Sequence, residues 1–200
     1  MALTIDYYLA PQSPWAYLGH ARFAALARTA GARINVLPVD FGKVFAGSGG
    51  LPLGQRAPQR QAYRLVELKR TSDYLKLPMH IKPQYFPVSG DNAARLIITV
   101  GMHDGADAAM ELTGAVLKAC WAEQRNIADP ATLAQLLAEC GLSPQRLEQA
   151  SSPVAQEHYE LFTHKAIAAD VFGAPSYVVD GEIFWGQDRL DYLERRLLRA

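Results

Sequence analysis

Apolar and polar positions alternate at the start of the chain: Leu3, Ile5, Tyr7 and Leu9 are separated by Thr4, Asp6 and Tyr8, the two-residue period of a strand. Ser13-Pro14 follows as a helix cap and first helical residue. The spacing of Trp15, Leu18, Ala21, Ala25 and Leu26 carries that helix to Gly31. Arg33 to Val39, with Ile34, Val36 and Leu37 apolar, predicts a second strand. Strand, helix and strand joined by a short crossover form the unit that a parallel pair requires. Near the other end, Ser176 to Val179 is β-prone, Asp180-Gly181 suits a turn with positive φ, and Glu182 to Trp185 returns as the second arm of a hairpin. Ahead of the hairpin, Gly173-Ala174-Pro175 holds Ala174 extended, because a following proline excludes the helical region. The Ala174 amide and carbonyl are thereby left free to pair with something added at the edge. After the hairpin, Asp188 stands at a cap position, and Leu190, Leu193, Leu197 and Leu198 share one face of a helix over 189–199.

Between these ends, from about Val44 to Phe162, the pattern is helical. Gly47 to Pro52 is a loop without the Gly-Lys-Ser/Thr ending of a phosphate-binding loop. Gln59 to Leu75 predicts a strong helix. Leu77 to Pro87 is denied helix by Pro78, Pro83 and Pro87 and suits the wall of a cleft. Further helices are expected over Asp91–Val100, Ala106–Glu123, Pro130–Cys140 and Ser152–Ala169. A helix, a Gly-x-Pro turn, an antiparallel hairpin and a closing helix correspond to the second half of a thioredoxin-like fold, and the N-terminal βαβ unit to its first half. The expected fold is therefore α/β, a thioredoxin-like domain (residues 1–43 and 163–200) interrupted by a large all-helical insertion (residues 44–162).

Composition narrows the function. The 200 residues carry 20 basic and 20 acidic side chains, a balance that argues against a nucleic-acid binder or a basic membrane-surface protein. No apolar run is long enough to span a bilayer, and the start of the chain lacks the basic-then-apolar order of a signal segment. A cytoplasmic protein acting on small molecules is the expectation. Cys120 and Cys140 form no Cys-x-x-Cys and have no histidine at ligand spacing, while His158 and His164 fall on different faces of their helix. No metal site is expected.

Where thioredoxin-like oxidoreductases open their first helix with Cys-Pro-x-Cys, this chain reads Ser13-Pro14-Trp15-Ala16. Disulfide exchange is excluded at that place, but a serine there can donate a hydrogen bond to the thiolate of another molecule. Taken alone, Ser13 reads equally as a helix cap.

Leu9-Ala10-Pro11-Gln12-Ser13-Pro14-Trp15-Ala16-Tyr17-Leu18-Gly19, Phe172-Gly173-Ala174-Pro175-Ser176-Tyr177 and Phe184-Trp185-Gly186-Gln187-Asp188-Arg189-Leu190 together resemble the 2-hydroxychromene-2-carboxylate isomerase family. That family is allied to kappa-class glutathione transferases and to DsbA-like oxidoreductases. The resemblance extends through Arg60-Gln61-Ala62-Tyr63-Arg64-Leu65-Val66-Glu67-Leu68-Lys69-Arg70 to nearly the whole chain. It implies a glutathione cofactor, with Ser13 facing its sulfur and Ala174, before a proline expected to be cis, pairing with its cysteinyl backbone. Trp185, Gly186, Gln187 and Asp188 would hold its γ-glutamyl end, with Asp188 meeting the ammonium group or merely capping the last helix. Gln55, Arg56 and Tyr85 are the implied substrate-side residues, Arg56 suiting a carboxylate unless it is plain solvated surface.

The activity so implied is glutathione-dependent interconversion of 2-hydroxychromene-2-carboxylate and trans-o-hydroxybenzylidenepyruvate by reversible thiolate addition, in a homodimer. Departures bear on the substrate: a lysine of some members falls on Phe45, leaving Lys43 as a substitute, an asparagine of the next loop is Gly50, and Gln187 stands where Ser or Asn is common. Rival readings are a kappa-class-like glutathione transferase and a redox-silent thioredoxin-like protein that holds peptides against the Ala174-Pro175 edge.

Overall fold

The computed structural model describes residues 3–198. Strand β1 (Thr4–Leu9), helix α1 (Pro14–Thr29) and strand β2 (Arg33–Pro38) form the expected βαβ unit, and β3 (Ser176–Val179) and β4 (Glu182–Trp185) form the hairpin. Asp180 and Gly181 at its tip both have positive φ, at 50° and 83°. The four strands lie in the order β2-β1-β3-β4, with β1 parallel to β2 and antiparallel to β3, Tyr8 opposite Ser176. Because β1 and β3 run in opposite directions, the chain leaving β1 toward Ser13 and the chain entering β3 from Ala174 meet at one end of the sheet.

The alternation of β1 divides its side chains between two layers. Ile5, Tyr7 and Leu9 face α1 and the last helix, α9 (Leu190–Leu198), and pack with Phe23, Tyr177 and Leu193. Tyr7 stacks on Tyr177 with centroids 5.4 Å apart, and Phe23 fits against both rings at 4.7 and 4.5 Å. Burying each such side chain contributes about 1.5–3 kcal/mol. On the other face, Tyr8, Leu37 and Val178 are covered by Val44 of α2 (Phe41–Ser48) and Ala166 of α8 (Pro153–Ala168). The chain's remaining helices are α3 (Pro58–Leu75), α4 (Asp91–Asp104), α5 (Ala106–Trp121), α6 (Pro130–Glu139) and the short α7 (Gln145–Gln149). Leu96, Val116, Trp121 and Leu133 make their own core, but Met110 and Leu117 of α5 also complete the layer beneath α1.

The helical segment is tied to the sheet by polar contacts too. His20 on α1 donates from Nε2 to the Met110 carbonyl at 3.0 Å; a carbonyl only accepts, so Nδ1 receives the Tyr7 hydroxyl at 3.3 Å. Burial pushes the His20 imidazole down to a pKa of about 4, against the raising effect of the Met110 carbonyl. No helix among the described residues is long and apolar enough to cross a membrane.

Three helices depart from the expected pattern, among them the short α7, which lies in no expected helix. The stretch after β2 folds as α2, capped by Asp40, whose side chain accepts from the Gly42 and Lys43 amides. The last helix begins at Leu190 rather than at the expected position, because a 3-10 turn over Gln187–Arg189 precedes it. Asp188 therefore lies inside that turn and does not cap α9. Arg199, the expected end of the helix, lies outside the described residues.

Candidate active site

Ser13 is the N-cap of α1, and its Oγ accepts the Ala16 amide at 3.2 Å. Of the first four amides of that helix, Pro14 has none, Ala16 is taken by the Ser13 side chain and Tyr17 by the Ser13 carbonyl. Trp15 keeps an amide without a partner among the described residues, at the positive end of the helix dipole. The Ser13 hydroxyl proton likewise has no acceptor among them. Ser13 is only 8% exposed, so a group that meets this hydroxyl does so largely away from competing water.

Across from Ser13 stands Ala174, joined to Pro175 by a cis peptide as expected. The Pro175 carbonyl accepts the Gly186 amide at 2.8 Å, and the Gly173 carbonyl accepts the Ser176 hydroxyl at 2.7 Å. The Ala174 amide and carbonyl have no partner among the described residues, which leaves an extended edge of the kind that pairs with peptide backbone.

Two adjoining cavities open on this end of the sheet, of about 660 and 560 Å3, and Trp15, Arg56, Arg60, Arg64, Ala174 and Trp185 line both. The larger is bounded by Gly186, Gln187 and Asp188. The smaller reaches Ser13 and is walled by Phe41, Phe45, Phe86 and Phe172. Trp185, half exposed, tilts against Phe172 with centroids 4.8 Å apart. Gly186 has φ 101°, and a β-carbon there would crowd Asp188 Oδ1, so glycine fits both the backbone turn and the carboxylate beside it. The amides of Gln187 and Asp188, first in the 3-10 turn, have no partner among the described residues.

The residues singled out by sequence divide accordingly. Ser13, Ala174, Trp185, Gly186, Gln187, Asp188 and Arg56 come together around the cavities. The side chain of Gln187 turns away from them: its Oε1 accepts Arg22 Nη1 at 2.9 Å, over the bare backbone of Gly19. Gln55 lies exposed in the 3-10 turn Leu53–Gln55 and lines neither cavity. Tyr85 is 41% exposed and outside both, where the next residue, Phe86, forms the wall. Lys43 is exposed and does not line them either, whereas Phe45 walls the smaller one.

Sequence reading passed over Arg60 and Arg64. With Arg56 they place three guanidinium groups on the shared wall, none ion-paired among the described residues, and no acidic side chain lines the smaller cavity. Arg56 donates from Nε to the Leu51 carbonyl at 2.8 Å. Burial and the neighbouring Arg60 lower its pKa, and burial with Arg56 brings Arg64 down to about 10, still charged at neutral pH. Within α3 a four-residue spacing of basic side chains was the available signal, and it is also the mark of an ordinary solvated face.

The arrangement offers hydrogen-bond donors, an open backbone edge and charges of both signs. Ser13 and the Trp15 amide offer donors for a sulfur anion, Ala174 a backbone edge, Asp188 an anion for an ammonium group, and the arginines cations for carboxylates. Such donors favour thiolate by the mechanism that lowers cysteine pKa at helix N-termini.

Residues 4–198 match the DsbA-like thioredoxin domain family. The chain is 32% identical over 201 residues to the 2-hydroxychromene-2-carboxylate isomerase of Sphingobium xenophagum, covering 99% of this chain and 100% of that protein. It is 31% identical to the protein of the same name from Pseudomonas putida, with 98% and 95% covered. The solved structure of a 2-hydroxychromene-2-carboxylate isomerase superposes with a TM-score of 0.83 at 27% identity, over 98% of this chain and 95% of that one. The protein thus belongs to the DsbA-like thioredoxin domain family and, within it, to the 2-hydroxychromene-2-carboxylate isomerase family.

Proposed function

We propose that the protein is a glutathione-dependent isomerase that interconverts 2-hydroxychromene-2-carboxylate and trans-o-hydroxybenzylidenepyruvate. The observation that carries this reading is the placement of a Ser13 hydroxyl, its proton without an acceptor among the described residues, at the N-terminus of α1, opposite an Ala174 backbone that also lacks a partner among them, where an arginine-lined cavity meets an aromatic one. The relatives' shared name supplies the reaction.

Bound across the two cavities, its γ-glutamyl end in the larger and its sulfur at Ser13 in the smaller, glutathione would supply a thiolate that adds reversibly to the conjugated carbon of the substrate, so that the bond beside it can rotate, and would be released unchanged. Ser13 donates its hydroxyl to that sulfur, and the Trp15 amide adds a second donor along the helix axis. Together they need to provide about 2.7 kcal/mol to lower a thiol pKa by about two units. Ala174 pairs with the cysteinyl backbone, and Asp188 receives the γ-glutamyl ammonium. Phe45, Phe86 and Phe172 hold the aryl ring out of water, and the arginine wall faces its carboxylate. The family resemblance brings with it a homodimer in the cytoplasm, which gel filtration and cell fractionation check.

The test is the absorbance time course of 2-hydroxychromene-2-carboxylate with the protein, with and without glutathione, for the wild type and Ser13→Ala. Equilibration that requires glutathione, leaves total thiol unchanged and slows by about 100-fold or more in Ser13→Ala supports the isomerase. Steady consumption of thiol would instead make the protein a glutathione transferase, and no binding of glutathione at all would leave a redox-silent binding protein.

A further inference from the structure

We propose that Arg64 is the specificity-determining residue for the substrate's carboxylate, and that it selects aromatic acids over their uncharged counterparts. The inference rests on the isomerase reading for the identity of the substrate, but the site itself is defined by its chemistry. Among the three arginines on the shared wall, Arg56 already spends Nε on the Leu51 carbonyl, and Arg60 is exposed. Arg64 is partly buried, makes no hydrogen bond or ion pair among the described residues, and borders both cavities.

Its surroundings fix its position without neutralising it. The guanidinium carbon lies 5.3 Å from the centroid of Phe86 and 5.8 Å from that of Trp121. Those rings are 4.8 Å apart, and Trp121 is fully buried at the C-terminal end of α5. Aromatic faces attract and orient a guanidinium, and they leave its edge N–H groups available for a bidentate carboxylate. Glu67, one turn further along α3, is engaged by Arg70. A guanidinium drawn partly out of water without a counter-ion has lost hydration that nothing else replaces, and a ligand carboxylate restores it. Phe86 both supports Arg64 and walls the smaller cavity. An aryl ring lying beside Phe86 therefore has its acid group within reach of the same guanidinium, so ring and charge are read together.

The experiment measures binding rather than turnover. Trans-cinnamate and its uncharged isostere cinnamamide are titrated calorimetrically into the wild type, Arg64→Gln and Arg64→Lys, with folding checked by melting. The wild type is expected to prefer cinnamate by about tenfold or more, Arg64→Gln to bind both equally with the amide's affinity unchanged, and Arg64→Lys to keep part of the preference. A preference that survives intact in Arg64→Gln, or a wild type that does not distinguish the two, overturns the proposal. Glutathione is titrated in parallel: a wild type that ignores glutathione yet prefers cinnamate through Arg64 would sink the glutathione reading and leave this one standing.

Discussion

The indole of Trp185 lies against the bare backbone of Gly173: a β-carbon on Gly173 would collide with Trp185 Nε1. That contact holds the indole where it borders both cavities. Gly173→Ala is expected to push the ring into the cavities and to weaken glutathione and aryl-acid binding together, by about tenfold each. Calorimetric titration checks this, and wild-type affinities in the variant would show that the ring has another place to go.

Ser13→Cys places a titratable reporter at the end of α1. A free thiol has a pKa of about 8.5, and helix N-termini lower it. Burial pushes Cys120 up to about 12 and also raises Cys140, so neither native thiol ionises in the same range. Thiolate absorbance at 240 nm should show one group titrating at least about one unit below 8.5. A value at or above 8.5 would mean that this helix end does not stabilise a sulfur anion.

Asp188→Asn separates binding from stability. The Asp188 carboxylate pairs with Arg189 at 2.6 Å, but both side chains are at least half exposed, and such pairs contribute less than about 1 kcal/mol. Melting should hardly change, while glutathione affinity should fall about tenfold through loss of the ammonium's partner. Unchanged affinity would assign the γ-glutamyl end elsewhere.

His20 makes the fold sensitive to acid. Its pKa is depressed to about 4 in the folded protein against about 6.5 unfolded, so the unfolded chain binds the proton more readily. The stability it confers is fully present above pH 6.5, declines as the pH falls, and is lost by pH 4, a change of about 3 kcal/mol. Urea unfolding between pH 7 and 4 should show this loss, and His20→Gln should reduce the slope. Equal slopes in the two proteins would locate the acid sensitivity in other groups.

What could be read in the sequence was what local rules govern. Asp180-Gly181 fixes the hairpin within its own neighbourhood, and Ser13-Pro14 announces α1; both elements lie where expected. The cap position that sequence spacing gives Asp188 is not realised, because cap grammar does not foresee the 3-10 turn that Gly186 opens at φ 101°. The direction of the Gln187 side chain is not legible locally, because its Oε1 is held by Arg22, which lies 165 positions away in the chain. Arg60 and Arg64 look like a solvated stripe until the fold brings α3 against the Trp185 turn. The site is legible where one segment makes it, and hidden where two distant segments must meet.

The pairing of Tyr8 with Ser176 has a consequence for how the protein comes into being. As the ribosome releases the chain, β1, α1 and β2 emerge well before β3, and β1 waits with one edge unmatched until the intervening helices have been made. Closing so long a loop is entropically costly and slow compared with forming the intervening helices. Ser13 faces no Ala174 until that closure occurs, so a nascent or partly folded chain lacks the site proposed for the thiol. That site thus exists only in a finished molecule, and the waiting edge of β1 is the surface that needs shielding from other chains in the interval.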